Sequence, residues 1–225
     1  MHITRCRLIL HDTLFYATRE MGTLYETGRY IHNYALSYAL FNDTIIRVPY
    51  FCASYKPNYA SDLGRLNDAG IYVTPARPVT WDYILATWKM AQVTWYRRPE
   101  RFGGKNYPRN IGRAKELAPG STFEFFVISQ RPVSLPRWIR LGKWMSKAEV
   151  AIILTQTGKE RLADEPFTVA CPLNPLDVPT QAIAFDLISM PPVSLINNAR
   201  LLGAYYEVSG TRLPVGMKYT FPDEV

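Results

Sequence analysis

Strict alternation opens the chain. Over His2–Leu10 (HITRCRLIL), Thr4, Cys6, Leu8 and Leu10 share one face, and Ile3, Arg5, Arg7 and Ile9 share the other. That period of two predicts a half-exposed first strand with two arginines on its open face. The period then lengthens. Thr23-Leu24-Tyr25-Glu26 fits a capping box, with a hydroxyl for the N3 amide and a carboxylate reaching back. It leads into YETGRYIHNYALSYALF, where Leu24, Ile31, Ala35 and Tyr38 fall on one helical stripe. Gly28 weakens the first turn, which makes Thr27 an alternative start, and Asn42-Asp43 ends the helix.

Residues 44–80 read as short strands and loops (TIIRVPYF, KPNYASDLGRLNDAG, IYVTPARPV), punctuated by Pro49, Pro57, Pro75 and Pro78. Trp81–Met90 reads as a short helix. From Gln92 to Leu117 the chain is aromatic, basic and broken by Gly and Pro, the pattern of an extended loop or hairpin insertion that orders on a ligand. Pro119-Gly120 turns into a buried strand, STFEFFVISQ. In Leu135–Val150 (LPRWIRLGKWMSKAEV), Pro136 and Gly142 argue against one continuous helix. The expectation there is a loop, a short ordered segment, then a strand from about Ala148 running through KAEVAIILTQ. The last third is mostly β (TVAC, AIAFDLI, AYYEVSG, KYTF), joined by the proline-rich PLNPLDVPT and MPPVSL. A strand–helix opening followed by mainly β segments gives an α+β class, and a ferredoxin-like or RRM arrangement suits its start.

The 225 residues suffice for one large domain or two small ones, and 48% hydrophobic residues exclude general disorder. The net charge of +7 is localised. Eight cations (Lys89, Arg97, Arg98, Arg101, Lys105, Arg109, Arg113, Lys115) face one acid, Glu100, between residues 89 and 115. Removing them from 26 basic and 19 acidic residues leaves 18 of each sign. Such a window favours a polyanionic partner over general solubility. Cys6, Cys52 and Cys171 are odd in number and far apart, and predict neither disulfides nor zinc. With no secretory-signal pattern and no run of eighteen apolar residues, they predict a reducing cytoplasm and no membrane partner. A membrane-surface helix is disfavoured, because Pro99, Gly103-Gly104 and Pro108 interrupt the basic window.

The candidate chemistry is RNA binding. Arg137, Arg140, Lys143 and Lys147 recur at spacings of three, three and four around Trp138 and Trp144, with no acid before Glu149. The 89–115 window adds Trp95, Tyr96, Phe102 and Tyr107 to its cations. Cations at intervals meet phosphates, and aromatic rings between them stack on unpaired bases. The bland alternative for 135–150 is a solvated basic turn whose two tryptophans are core. Gly142 lets the backbone approach a ligand, so Trp144 is the expected stacking residue and Trp138 the more buried one. Arg5 and Arg7 are weaker candidates.

For catalysis the chain offers His2, His11 and His32. Metal-independent RNA cleavage needs a general base on the 2′-hydroxyl and a proton donor for the leaving oxygen. Tyr30, His32 and Tyr34 supply such groups, but on a helix residues 30 and 34 lie on one side and 32 away from them. There is no GxGxxG, P-loop, HExxH or GxSxG pattern, and neither cofactor nor metal is predicted.

Two stretches, HDTLFYATREMGTLYETGRYIHNYALSYAL (His11–Leu40) and LPRWIRLGKWMSKAEV (Leu135–Val150), resemble the type I-D form of the Cas-five family, of Csc-one type. These are RAMP subunits of CRISPR surveillance complexes. The resemblance implies an RRM-like start (1–90), an inserted basic thumb (91–118), and a remaining sheet with a β-rich C-terminal region (119–225), possible as one domain with 1–90. It implies a non-catalytic subunit that caps the 5′ handle of the CRISPR RNA and docks against backbone RAMP subunits and the large subunit of a Cascade-like effector. Target DNA near the flanking motif is a further candidate partner. Relatives in another CRISPR subtype cleave precursor RNA without metal, which makes such an endoribonuclease the alternative reading. Type I-D systems also imply a separate processing enzyme. Many RAMP proteins carry a clear glycine-rich loop near the C-terminus; here Ala199–Gly210, ARLLGAYYEVSG, with two glycines, stands in its place.

Overall fold

The first strand is built as the alternation requires, and the rest of the fold is assembled around it. The computed structural model describes residues 1–22, 24–49, 57–89 and 111–221. In chain order the strands are β1 (His2–Leu10), β2 (Arg19–Met21), β3 (Leu24–Glu26), β4 (Ile71–Val73), β5 (Arg77–Thr80), β6 (Tyr83–Lys89), β7 (Ile111–Leu117), β8 (Thr122–Ser129), β9 (Trp138–Leu141) and β10 (Ser146–Thr157). The C-terminal third adds β11 (Glu160–Leu162), β12 (Phe167–Thr168), β13 (Ala184–Ile188), β14 (Leu195–Leu201), β15 (Ala204–Val208) and β16 (Thr211–Pro214). Among the described residues two α-helices, α1 (Asn33–Phe41) and α2 (Tyr59–Asp68), lie between β3 and β4, and a π-helical turn, Asn42–Ile46, follows α1. The class is mixed α+β.

The main sheet runs β4–β8–β1–β10–β9, with β5 also on β8, and all its pairs are antiparallel. Cys6 faces Phe125 and Leu8 faces Phe123 across β8, while Leu8 faces Val150 and Leu10 faces Ala148 across β10. These residues are buried, and with α1 and α2 packed on the sheet they carry the core. β8 and β10 both run antiparallel to β1 on opposite sides of it. The chain therefore crosses from β8 to the far edge, forms β9 and returns as β10. Crossovers between parallel strands are usually helical; residues 130–145 make this one with β9 alone.

The open face of β1 departs from expectation at Ile3, which is fully buried. Gly158 and Tyr206 cover it: a Cβ on Gly158 would stand 2.5 Å from Ile3 Cδ1 and 3.1 Å from Tyr206 Cδ1. Arg5 is not a free cation either. Its Nη2 donates to Glu124 Oε2 at 2.9 Å, and Arg77 approaches the same oxygen at 3.3 Å. Arg7 is exposed.

Three local expectations need correction. The helix does not start at the Thr23–Glu26 box or at Thr27. Leu24–Glu26 is β3, paired with β2 and, in parallel, with β7, and Thr27 Oγ1 is spent on the backbone of Tyr16. The helix begins at Asn33 behind an N-cap at His32, and buries Tyr34, Leu36, Leu40 and Phe41 instead of the expected stripe. KPNYASDLGRLNDAG holds a helix, α2, capped by Asn58 Oδ1 on Ser61 N and burying Leu63 and Leu66. Trp81–Met90 holds no helix in its described part; Tyr83–Lys89 pairs with β7 along its whole length.

The C-terminal third is β-rich as expected, in two three-stranded sheets, β11–β15–β16 and β12–β14–β13. KYTF is no strand. Tyr219 is buried, its hydroxyl bonded to Ser37 Oγ and to the amide of Val73. Thr220 N donates to Asp177, which also accepts from Asn33 Nδ2 at 2.8 Å and the Tyr72 hydroxyl at 3.0 Å. This hub ties the tail to α1 and β4. No helix among the described residues is long and apolar enough to cross a membrane.

Candidate nucleic-acid interface

Leu135–Val150 is a β-hairpin. β9 and β10 pair from Trp138–Glu149 to Leu141–Ser146, and Gly142 (φ +76°) and Met145 (φ +57°) provide the left-handed positions at the turn. Alternation along β9 sends Ile139 and Leu141 into the core and leaves Trp138 and Arg140 outside. The expected burial of Trp138 is thereby corrected: it is 42% exposed, nearly equal to the 44% of Trp144.

The four hairpin cations differ in how free they are. Arg137 Nε donates to Glu149 Oε1 at 2.9 Å, a bond that, with His11 on the other oxygen, holds the Glu149 carboxyl below its usual range. Arg140 donates to the Met145 carbonyl and lies 4.0 Å from Asp12. Among the described residues, Lys143 and Lys147 have no carboxylate partner. The Lys147 ammonium sits 4.1 Å from the centre of the Trp138 ring, and His11 meets that ring edge-on. Trp144 stacks on Phe15, with centroids 4.3 Å apart at 18°.

Beside the hairpin is a groove of about 890 Å³, large for a small-ligand site. The hairpin contributes Trp138, Arg140, Lys143 and Lys147 to its lining. Tyr30, His32, Tyr34 and Tyr38, on or just before α1, contribute the aromatic part, and Tyr59 and Pro191-Pro192 complete it. The two sequence stretches singled out above, 95 residues apart at their nearest ends, thus line one groove. The contact between them is direct: Gly142 N donates to the Tyr16 hydroxyl, and Lys143 N to the Phe15 carbonyl, both at 2.9 Å.

His32 has no spare nitrogen. Nδ1 accepts from Tyr34 N, so Nε2 carries the proton and donates to the Val193 carbonyl at 3.1 Å. Burial pushes its pKa down to about 4 and keeps it neutral. The helical separation of 30 and 34 from 32 does not apply, because residues 30 and 32 precede α1 and all three line the groove.

The sequence candidates fall in two places. Arg137, Arg140, Lys143, Trp144 and Lys147 gather on or beside the hairpin, with Arg137 and Trp144 outside the groove lining. Arg113 and Lys115 lie on β7, Arg113 exposed and Lys115 paired with Glu26 at 2.7 Å. Trp95, Arg97, Arg98, Arg101, Lys105 and Arg109 lie outside the described residues, as does the Lys89 side chain. Sequence reasoning named Tyr34 only as a catalytic candidate and placed Tyr38 only on a helical stripe, and it missed both, with Tyr59, as aromatic lining. The i, i+4 spacing of Tyr34 and Tyr38 on a helix is the signal that could have found part of it.

The model of the family described as "Type I-D CRISPR-associated protein Cas5/Csc1" matches residues 1–222. No curated protein matches the chain. Among solved structures it is similar to a chain in the cryo-EM structure of the Type III-B Cmr-beta bound to cognate target RNA and AMPPnP, state 1, at 10% identity and a TM-score of 0.41, over 88% of this chain and 86% of that one. It is also similar to the crystal structure of a CRISPR protein from Archaeoglobus fulgidus, at 9% identity and a TM-score of 0.42, over 94% of this chain and 98% of that one. On the near-complete span of the family match, this chain belongs to the type I-D Cas5/Csc1 family of RAMP-superfamily CRISPR-associated proteins.

Proposed function

We propose that this chain is a non-catalytic CRISPR RNA-binding subunit of a cytoplasmic type I-D effector complex, holding the 5′ handle of the guide and anchoring neighbouring RAMP and large subunits. One observation carries the reading: the two stretches that resemble the family converge on a groove with tyrosines beside hairpin lysines that have no carboxylate partner among the described residues. Phosphates meet Lys143 and Lys147, and unstacked bases meet the rings. The order β4–β8–β1–β10, all antiparallel, is compatible with an RRM-like sheet in which β9 replaces the second crossover helix. As in other RNA-guided systems, base pairing reads the target while protein holds backbone and shape.

The test is the salt dependence of RNA affinity. For single strands, log K falls with log salt at about −0.7 per contacted phosphate. Neutralising Arg140, Lys143 and Lys147 together should flatten the slope by about 2 for handle RNA. The same triple change at Arg97, Arg98 and Arg101 tests the 89–115 window independently. An unchanged slope and affinity in the hairpin variant would move the RNA away from the groove.

The endoribonuclease alternative draws on Tyr30, His32 and Tyr34 lining the groove. Against it, both His32 nitrogens are engaged and the ring is held neutral. His32→Asn keeps a good N-cap and removes the imidazole. Precursor CRISPR RNA incubated with the wild-type protein and chelator should stay intact, and site-specific cleavage that disappears in His32→Asn would establish the nuclease. The same variant has a stability readout. The unfolded histidine takes its proton near pH 6.5 and the folded one only near 4, so the wild type loses stability relative to the variant as pH falls from about 6.5 to about 4. Asp177, raised by burial to about 6, slopes the opposite way below pH 6. The wild-type-minus-variant difference isolates His32.

A further inference from the structure

Tyr30 lines the groove, and a separate group of cations and rings adjoins it. The neighbouring Arg29 is exposed, and its guanidinium carbon sits 5.5 Å from the centre of the Tyr30 ring and 5.3 Å from that of Trp81. Both distances lie within cation–π range. No carboxylate pairs with Arg29 among the described residues. Trp81 is 40% exposed, which is unusual for so large an apolar side chain. Two residues on, at the start of β6, the Tyr83 ring lies 4.2 Å from the Lys115 ammonium of β7. Across the same pair, Leu85 faces Lys115 and Thr87 faces Arg113, both outward. Of the acids nearby, Glu26 is shared by Lys115 and Arg19, and Asp82, exposed between Trp81 and Tyr83, accepts from Tyr83 N through Oδ1 at 2.7 Å.

From the groove to the root of the β6–β7 hairpin there is thus a row of partly exposed rings interleaved with cations. An arginine held between two rings is ordered before any ligand arrives, so little of its side-chain entropy remains to be lost on binding. Beside that guanidinium the indole still presents apolar surface to water.

We propose that Arg29, Tyr30 and Trp81 form a second stacking station, which receives a base and its phosphate from single-stranded RNA as the strand leaves the groove toward β6 and β7. This rests on the reading of the groove as the RNA site. Single-stranded RNA fits better than a duplex because stacking on Trp81 needs the face of an unpaired base, which a duplex hides between its neighbours. The guanidinium supplies one phosphate contact beside that base.

The experiment compares the full chain with Arg29→Ala, Trp81→Ala and Trp81→Phe, and with Lys143→Ala/Lys147→Ala. Affinities are read by anisotropy on a labelled oligouridine confined to the groove and on a longer one that spans both places. Trp81→Ala should weaken the longer oligouridine by about 5- to 150-fold, the range of one stacked base, and leave the shorter one unchanged. Trp81→Phe should restore most of that loss. Arg29→Ala should reduce the salt slope on the longer probe by about 0.7. Melting curves on each variant separate loss of binding from loss of fold, and Arg29→Ala keeps the test valid if Trp81→Ala is unstable. If the lysine variant weakens both probes while Arg29→Ala and folded Trp81→Ala match wild type on both, with no gain from length, the station is refuted and the groove stands. If the lysine variant also leaves both probes unaffected, the RNA reading of the groove fails too. A labelled duplex DNA serves as a third probe, and a loss confined to it would assign the surface to a duplex and overturn the proposal.

Discussion

Replacing Gly142 with alanine should lower stability by roughly 3–5 kcal/mol, the range of severe backbone and packing changes. Gly142 has φ +76°, where any L side chain costs about 1–2 kcal/mol. The larger part is steric. A Cβ there would stand 2.7 Å from Leu14 Cδ1 and 2.8 Å from the Phe15 carbonyl oxygen, and neither neighbour can give way cheaply. Leu14 is fully buried and exchanges two backbone hydrogen bonds with Leu117, while the Phe15 carbonyl already accepts from Lys143. The hairpin would have to lift off the 14–16 segment, losing the Gly142–Tyr16 bond and the position of Lys143 in the groove. RNA affinity should therefore fall together with stability. Gly120 is the control: its φ is +83°, but nothing lies within 4 Å of a Cβ. Gly120→Ala should cost only about 1 kcal/mol. For a chain of this size the two variants should differ in Tm by roughly 5–15 °C. Equal melting losses would show that conformation alone, and not the close approach, is what Gly142 provides.

That contact also marks where sequence reasoning succeeds and stops. The alternation of His2–Leu10, the turn at Gly120 and the run through β8 and β10 are legible because their pattern is local and their flanks punctuate it. What fails is decided by partners far along the chain. Leu24–Glu26 carries a respectable helix-capping pattern, but β7, nearly ninety residues later, takes it as a parallel strand. YILATWK has apolar residues at spacings that suit either period, and only its pairing with β7 makes it β6. α2 shows the reverse failure: Leu63 and Leu66 are too few to display a period, and the Asn58 cap is the only strong local cue. At the site, the hairpin cations were legible from charge and spacing. Which of them are free was not, because Glu149 and Asp12 reach Arg137 and Arg140 only through the pairing of β10 and the approach of residues 11–13.

The two tryptophans of the hairpin should separate binding from folding. Exposure does not distinguish them; their neighbours do. Trp138 lines the groove and meets Lys147 and the edge of His11, groups that are themselves at least partly exposed to water. Trp144 lies outside the groove lining and stacks on Phe15, which is only 7% exposed and belongs to the segment that Gly142 holds. An aromatic pair of this kind contributes about 0.5–1.5 kcal/mol beyond its buried area. Trp144→Ala should therefore cost roughly 2 kcal/mol of stability, counting the part-buried indole, and leave RNA affinity of the folded protein nearly unchanged. Trp138→Ala should cost about 1 kcal/mol of stability or less, and about 1–3 kcal/mol of RNA binding, the worth of one stacked base. Trp138→Phe should recover most of that binding, since a phenyl ring still offers a face beside Lys147. Melting temperature and RNA affinity measured on the three variants decide it. If Trp144→Ala weakens RNA and spares the fold while Trp138→Ala does the opposite, the stacking residue is the one packed on Phe15. If both variants lose stability alone, bases do not stack on this hairpin, and its lysines hold the RNA by charge.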